Sequence, residues 1–109
     1  KFYQVVLNLT TNSIKYSNEN GNVKIFTNKS KDKFVLMVKD DGIGIPKEDL
    51  PRIFERFYIV DKSRTSKSTG LGLAIVKHIV KLFNGEIFVE SEVGKGSKFT
   101  VISKNVYCE

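Results

Sequence analysis

The apolar residues of this chain change their spacing along its length, and that change dictates most of what it can fold into. From about Tyr3 to Tyr16, Val5, Val6, Leu9 and Ile14 recur at near-helical intervals, which predicts an amphipathic helix with one buried face. The polar cluster Ser17-Asn18-Glu19-Asn20-Gly21-Asn22 ends it. From Val23 the spacing falls to two, and after a polar turn over 28–33 a second strand is expected over 34–40, so that the pair forms a hairpin. Asp41-Gly42-Ile43-Gly44-Ile45-Pro46 breaks all regularity. Pro46 suits the start of a short helix over about 47–57, with Glu48 and Asp49 in its first turn. Helical spacing returns over 70–83, with Leu73, Ile75, Val76, Ile79, Val80 and Phe83 inward and Asn84-Gly85 as the stop. Two strands, about 86–91 and 97–103, flank the turn 93–96. This order predicts the α+β class: an antiparallel or mixed sheet with helices packed on one face.

At 109 residues, 40% of them hydrophobic, the chain has room for one domain with a real core. No apolar run approaches the roughly 20 residues of a membrane span, and nothing resembles a signal peptide. The single cysteine, Cys108, excludes an internal disulfide framework and points to a reducing compartment. One Cys and one His are too few for a structural zinc site. Eighteen Lys and Arg against twelve Asp and Glu give a net charge of +6, which suits a polyanionic partner. Charge alone leaves nucleic acid, anionic lipid and a nucleotide triphosphate open. The chain opens at Lys1-Phe2-Tyr3-Gln4, already in the helical pattern, and is expected to be a piece of something longer.

Three features carry candidate chemistry. Asn8 and Asn12, four residues apart, project from one face of the opening helix; amide oxygens suit magnesium, which keeps several waters and takes few protein donors. Lys15 and Tyr16 follow one turn on. Asp40-Asp41-Gly42-Ile43-Gly44 places a carboxylate at a strand end, with glycines that let backbone pass close beside a flat ligand. Gly70-Leu71-Gly72 stands where a polar loop becomes a helix, and helix N-termini favour phosphate. Neither the GxxxxGK[ST] phosphate loop nor the GxGxxG dinucleotide fingerprint occurs. Residues 58–69 are polar and aperiodic, long enough for a functional lid. Each feature alone also fits a plain surface helix, turn or loop. His78, within the last helix, is read as structural or surface.

Taken together, the chain resembles the catalytic, ATP-binding domain of sensor histidine kinases, in the superfamily that includes gyrase, the ninety-kilodalton heat-shock chaperone and MutL. QVVLNLTTNSIKYS is similar to that family's asparagine box, VKDDGIGIP to its first glycine box, IFERFY to its phenylalanine box and STGLGLAIVKHIV to its second glycine box. NGEIFVESEVGKGSKF is similar to the closing hairpin. The resemblance covers essentially all 109 residues and implies a two-layer α/β sandwich of Bergerat type with a mostly antiparallel sheet. It also implies that the family's first strand and upstream dimerisation domain lie outside this sequence.

On that resemblance Asn12 would ligate magnesium, with Asn8 beside it, and Lys15 would reach the phosphates of ATP. Tyr16 would stack near the adenine. Asp40 would accept from its amino group, with Gly42, Gly44 and Ile45 lining the base pocket. Phe54 and Phe57 would anchor the lid over 58–69. Gly70, Leu71 and Gly72 would hold the triphosphate from the far side, Thr69 would join the nucleotide site, Thr100 would floor the pocket, and Lys62, Arg64 or Lys67 of the lid would substitute for the family's arginine. Water-activating members of the superfamily carry a glutamate at the position of Asn8. An amide cannot accept a proton at neutral pH, so transfer of the γ-phosphoryl is implied, with hydrolysis slow. Two departures from the family pattern, Ile59 for an arginine and Ser68 for a glycine, bear on the lid.

The implied acceptor is a histidine on a separate dimerisation domain of the same kinase, with a response regulator downstream. The fragment is expected to be monomeric and unable to autophosphorylate, and the intact kinase a homodimer. By resemblance the domain would lie in the cytoplasm, in a kinase that is often membrane-bound, without touching membrane or nucleic acid itself. The alternatives are a nucleotide-responsive interaction module of the same fold that transfers no phosphate, and a basic nucleic-acid-binding domain. A relative acting on serine in an anti-sigma partner fits the long phenylalanine-box and lid segment, 53–69, less well.

Overall fold

The computed structural model describes residues 2–16, 21–30, 33–58 and 72–104. Helix α1 (Phe2–Tyr16) leads into strands β1 (Val23–Lys29) and β2 (Lys33–Asp40), then one 3-10 turn (Leu50–Arg52), helix α2 (Gly72–Leu82), and strands β3 (Glu86–Glu92) and β4 (Gly96–Lys104). The sheet order is β1-β2-β4-β3, and every pairing among the described residues is antiparallel. The expected α+β sandwich is therefore the observed architecture.

Strand alternation decides which face packs. Phe34, Leu36, Val38 and Asp40 of β2 are buried, as are Ser97, Phe99, Val101 and Ser103 of β4. Val5 and Leu9 of α1 and Val76, Ile79 and Val80 of α2 share their core. Burying each such large side chain stabilises the fold by about 1.5–3 kcal/mol. The opposite face carries the register row Phe26, Met37, Thr100 and Phe88, with Phe26 and Phe88 about half exposed.

Helical spacing was misassigned at two positions. Ile14 is 60% exposed, while Ser13, eight residues after Val5 and four after Leu9, takes the buried place. The apolar stripe of α1 continues through position 13, and Ile14 lies about 100° farther round. Ile75 is likewise exposed, and the inward stripe of α2 runs through Val76, Ile79 and Val80. At the end of α2, Asn84 has φ of +58°. Gly85 N–H bonds to Val80 C=O at 2.9 Å and Asn84 N–H to Lys81 C=O at 3.0 Å. Those two bonds form a Schellman stop, as Asn84-Gly85 implied.

The helix expected over 47–57 does not form. In its place stand turns in which each bonded N–H reaches back three residues: Asp49 to Pro46, Arg52 to Asp49, Glu55 to Arg52 and Tyr58 to Glu55. Pro51 is the cause. It lacks an N–H, and its ring would strike the carbonyl of residue 47 in an α-helix. Phe57 then adopts φ of +66°.

Candidate functional site

A cleft of about 180 Å³ opens at the end of the sheet, between α1, the loop after β2, the turns after Pro46 and the first turn of α2. From α1 it receives Asn8, Thr11, Asn12, Lys15 and Tyr16. These are spaced three, four, seven and eight residues from Asn8, so one helix face delivers all of them. Asp40 and Ser97, register partners on β2 and β4, stand on the sheet side with Gly44 and Ile45.

Backbone bonds fix the loop against both walls. Ile43 N–H donates to the Tyr16 carbonyl at 3.0 Å, and Gly94 N–H donates to the Ile43 carbonyl at 3.0 Å. Gly44 has φ of +76°, and a Cβ there would lie 2.2 Å from the Glu92 carbonyl oxygen. Only glycine lets the loop lie so near the β3–β4 turn. The buried Asp40 accepts the Gly42 N–H on Oδ1 at 2.9 Å, which orients its carboxylate and leaves Oδ2 without a bond among the described residues. Gly42 thus serves the site from behind the cleft wall, as the donor that holds Asp40.

Across the cleft, Asn8 Nδ2 donates to the Gly72 carbonyl at 3.3 Å, while Gln4 Nε2 donates to Asn8 Oδ1 at 3.3 Å. Asn8 thereby ties α1 to the start of α2. Tyr58 lines the cleft under a clamp: its hydroxyl donates to the Asp49 carboxylate, and the Arg52 guanidinium sits 4.5 Å above its ring. The bond to Asp49 holds the Tyr58 hydroxyl above the usual phenol range. Arg52 pairs in turn with Glu55 at 3.2 Å. Among the described lining residues Lys15 is the one cation and Asp40 the one carboxylate.

The cleft thus brings together Asn8, Asn12, Lys15, Tyr16, Asp40, Gly44, Ile45 and Gly72. Gly42, Phe57 and Thr100, all named from sequence, do not line it, and Gly42 reaches the site only through its bond to Asp40. Phe57 is 68% exposed; only Phe54 packs inward, its ring edge-on to Phe99 at 6.4 Å. Thr100 pairs with Met37 and Phe88 on the outer face, because alternation from the buried Phe99 turns Ser97, not Thr100, toward the cleft. Lys62, Arg64, Thr69, Gly70 and Leu71, with nearly all of the expected lid, lie outside the described residues. Thr11, Ile53, Tyr58, Leu73 and Ser97 were missed. Helical spacing from Asn8 would have found Thr11, and strand parity Ser97. No spacing rule points to Ile53 or Tyr58.

A family model described as histidine kinase-, DNA gyrase B- and HSP90-like ATPase matches residues 1–105. The sensor histidine kinase WalK of Bacillus subtilis is 47% identical over 104 residues, covering 92% of this chain and 17% of WalK. The sensor histidine kinase YclK of the same organism is 40% identical over 104 residues, covering 93% of this chain and 22% of YclK. The chain thus spans about a fifth of the length of these relatives. Among solved structures, the mycobacterial sensor histidine kinase MprB matches with a TM-score of 0.82 at 29% identity, over 93% of this chain and 70% of that one. Full-length ShkA in complex with AMPPNP matches at 0.77 and 30% identity, over 92% of this chain and 20% of that one.

Proposed function

The chain belongs to the histidine kinase-, DNA gyrase B- and HSP90-like ATPase family, and from that premise we propose that it is the ATP-binding catalytic domain of a two-component sensor kinase. It binds Mg-ATP in the cleft and passes the γ-phosphoryl to a histidine on a separate dimerisation domain. The observation that carries this reading is the convergence of the amide face of α1, Lys15, the oriented Asp40 carboxylate and the start of α2 on one cleft.

Each residue then has a physical task. Asp40 accepts a hydrogen bond from the adenine amino group, with Tyr16, Gly44 and Ile45 around the base. Lys15 offsets phosphate charge. Asn12, with Asn8 beside it, supplies neutral oxygens for magnesium. No group of three His, Cys, Asp or Glu side chains converges among the described residues, which suits an ion held largely by phosphate and water. Bound there, magnesium would neutralise charge on the phosphates. The acceptor imidazole nitrogen forms a bond to the γ-phosphorus while the bond to the bridging oxygen breaks, and ADP leaves with the electron pair. Catalysis of this kind rests on positioning and charge neutralisation. The single carboxylate among the described lining residues is Asp40 on the base side, so nothing described there would activate water.

The test is to mix the purified chain, radiolabelled Mg-ATP and a separately made histidine-bearing dimerisation domain of the same kinase. Acid-labile label on that domain is expected, and lost when its histidine is replaced. ATP binding without transfer would favour the interaction-module reading instead. The domain is placed in the cytoplasm, within a homodimeric kinase that signals through a response regulator.

A further inference from the structure

Ser91 does not line the cleft, yet three hydrogen bonds meet at its oxygen. Ile45 N–H donates to Ser91 Oγ at 2.7 Å. Ser91 Oγ donates to the Gly96 carbonyl at 3.0 Å. Ser97 Oγ lies 2.8 Å away, where either hydroxyl could donate. A hydroxyl has one hydrogen and two lone pairs. The Ile45 amide can only donate and the Gly96 carbonyl can only accept, so all three bonds coexist in one arrangement. Ser91 gives its hydrogen to Gly96, and Ser97 gives its hydrogen to Ser91. The Ser97 hydrogen is then committed away from the cleft that Ser97 lines. Beside it stands Asp40, its register partner. This part of the wall consequently offers two acceptors and no hydroxyl hydrogen.

We propose that Ser91 is a positioning residue that sets which purine the cleft accepts. By taking the Ser97 proton it keeps the wall acceptor-only, matched to the donor of a 6-amino purine and mismatched to the carbonyl of a 6-oxo purine. Without the Ser91 hydroxyl, Ser97 can rotate and donate to a 6-oxo group, so discrimination falls. The inference rests on the nucleotide site proposed above.

Ser91→Thr and Ser91→Val separate the hydroxyl from its packing, since the two side chains share a shape that strands accept. Affinities of the whole chain for Mg-ATP and Mg-GTP are measured by calorimetry for the parent and both variants. The parent and Ser91→Thr are expected to prefer ATP alike, while Ser91→Val lowers the ATP-to-GTP affinity ratio by about tenfold. If Ser91→Val does not fold, Ser91→Cys, a weak hydrogen-bonding group of similar size, is expected to lower the ratio in the same direction. A ratio that stays at the parental value in the folded variant overturns the proposal, even if both affinities drop together, because a purely structural role predicts that outcome. A parent that binds ATP but favours neither purine also overturns it, leaving the nucleotide site intact. A parent that binds neither nucleotide overturns both.

Discussion

Asp40 and Asp41 are chain neighbours set to different tasks. Asp40 is buried and aimed along the cleft wall, whereas Asp41 is exposed and accepts the Asn22 backbone N–H at 2.8 Å. That bond, from the residue before β1, holds the Asp41 carboxyl below the usual carboxylate range. A depressed folded value means that the latch contributes stability above the unfolded value, near pH 4, and loses it as pH falls through the folded one. Melts of the parent and Asp41→Asn across pH 2–7 are expected to show a parental advantage that holds near neutrality and closes in acid. An advantage that grows in acid would contradict this assignment. Two turn glycines offer a sharper contrast. A Cβ at Gly96 would lie 2.0 Å from the Asp40 carbonyl oxygen, while one at Gly94 meets nothing within 4 Å, although both have positive φ. Gly94→Ala should cost about 1–2 kcal/mol from its backbone conformation. Gly96→Ala should cost more, by about 1–3 kcal/mol of steric displacement, and should weaken nucleotide binding because it pushes on Asp40. Denaturant midpoints for the two variants check the order.

Elements were legible in the sequence wherever local spacing decided them. Both helices, the four strands and the Asn84-Gly85 stop were read from period and turn chemistry, because neighbours in the chain are neighbours on a helix face or strand. The segment 47–57 departs from expectation for an equally local reason: Pro46 suits a helix start, while Pro51 forbids the helix that would follow. The buried Ser13 marks a different limit. Its hydroxyl has no hydrogen-bond partner among the described residues, and hydrophobicity alone favoured Ile14 for that place. Thr100 follows the buried Phe99 in sequence, but strand pleat turns it to the outer face and makes Ser97 the residue on the cleft side.

At the scale of the whole molecule, the cleft was legible only through the family resemblance. No spacing rule joins Asn12 to Asp40 or Gly72. They meet because β4 inserts between β2 and β3, and because the loop after β2 is bonded both to α1 and to the β3–β4 turn. The same resemblance supplied the tasks of the residues, and composition supplied only the sign of the charge. Binding is where these long-range placements can be tried together, by calorimetric titration of ATP, with and without magnesium, into the parent, Asp40→Ala and Asn12→Ala. The parent is expected to bind ATP more tightly with magnesium present. Asp40→Ala should lose about 1–3 kcal/mol, roughly 5- to 150-fold in affinity, with or without the ion, and Asn12→Ala should lose chiefly the gain from magnesium. Folded variants that both bind Mg-ATP as well as the parent does would contradict the placement of the nucleotide in this cleft.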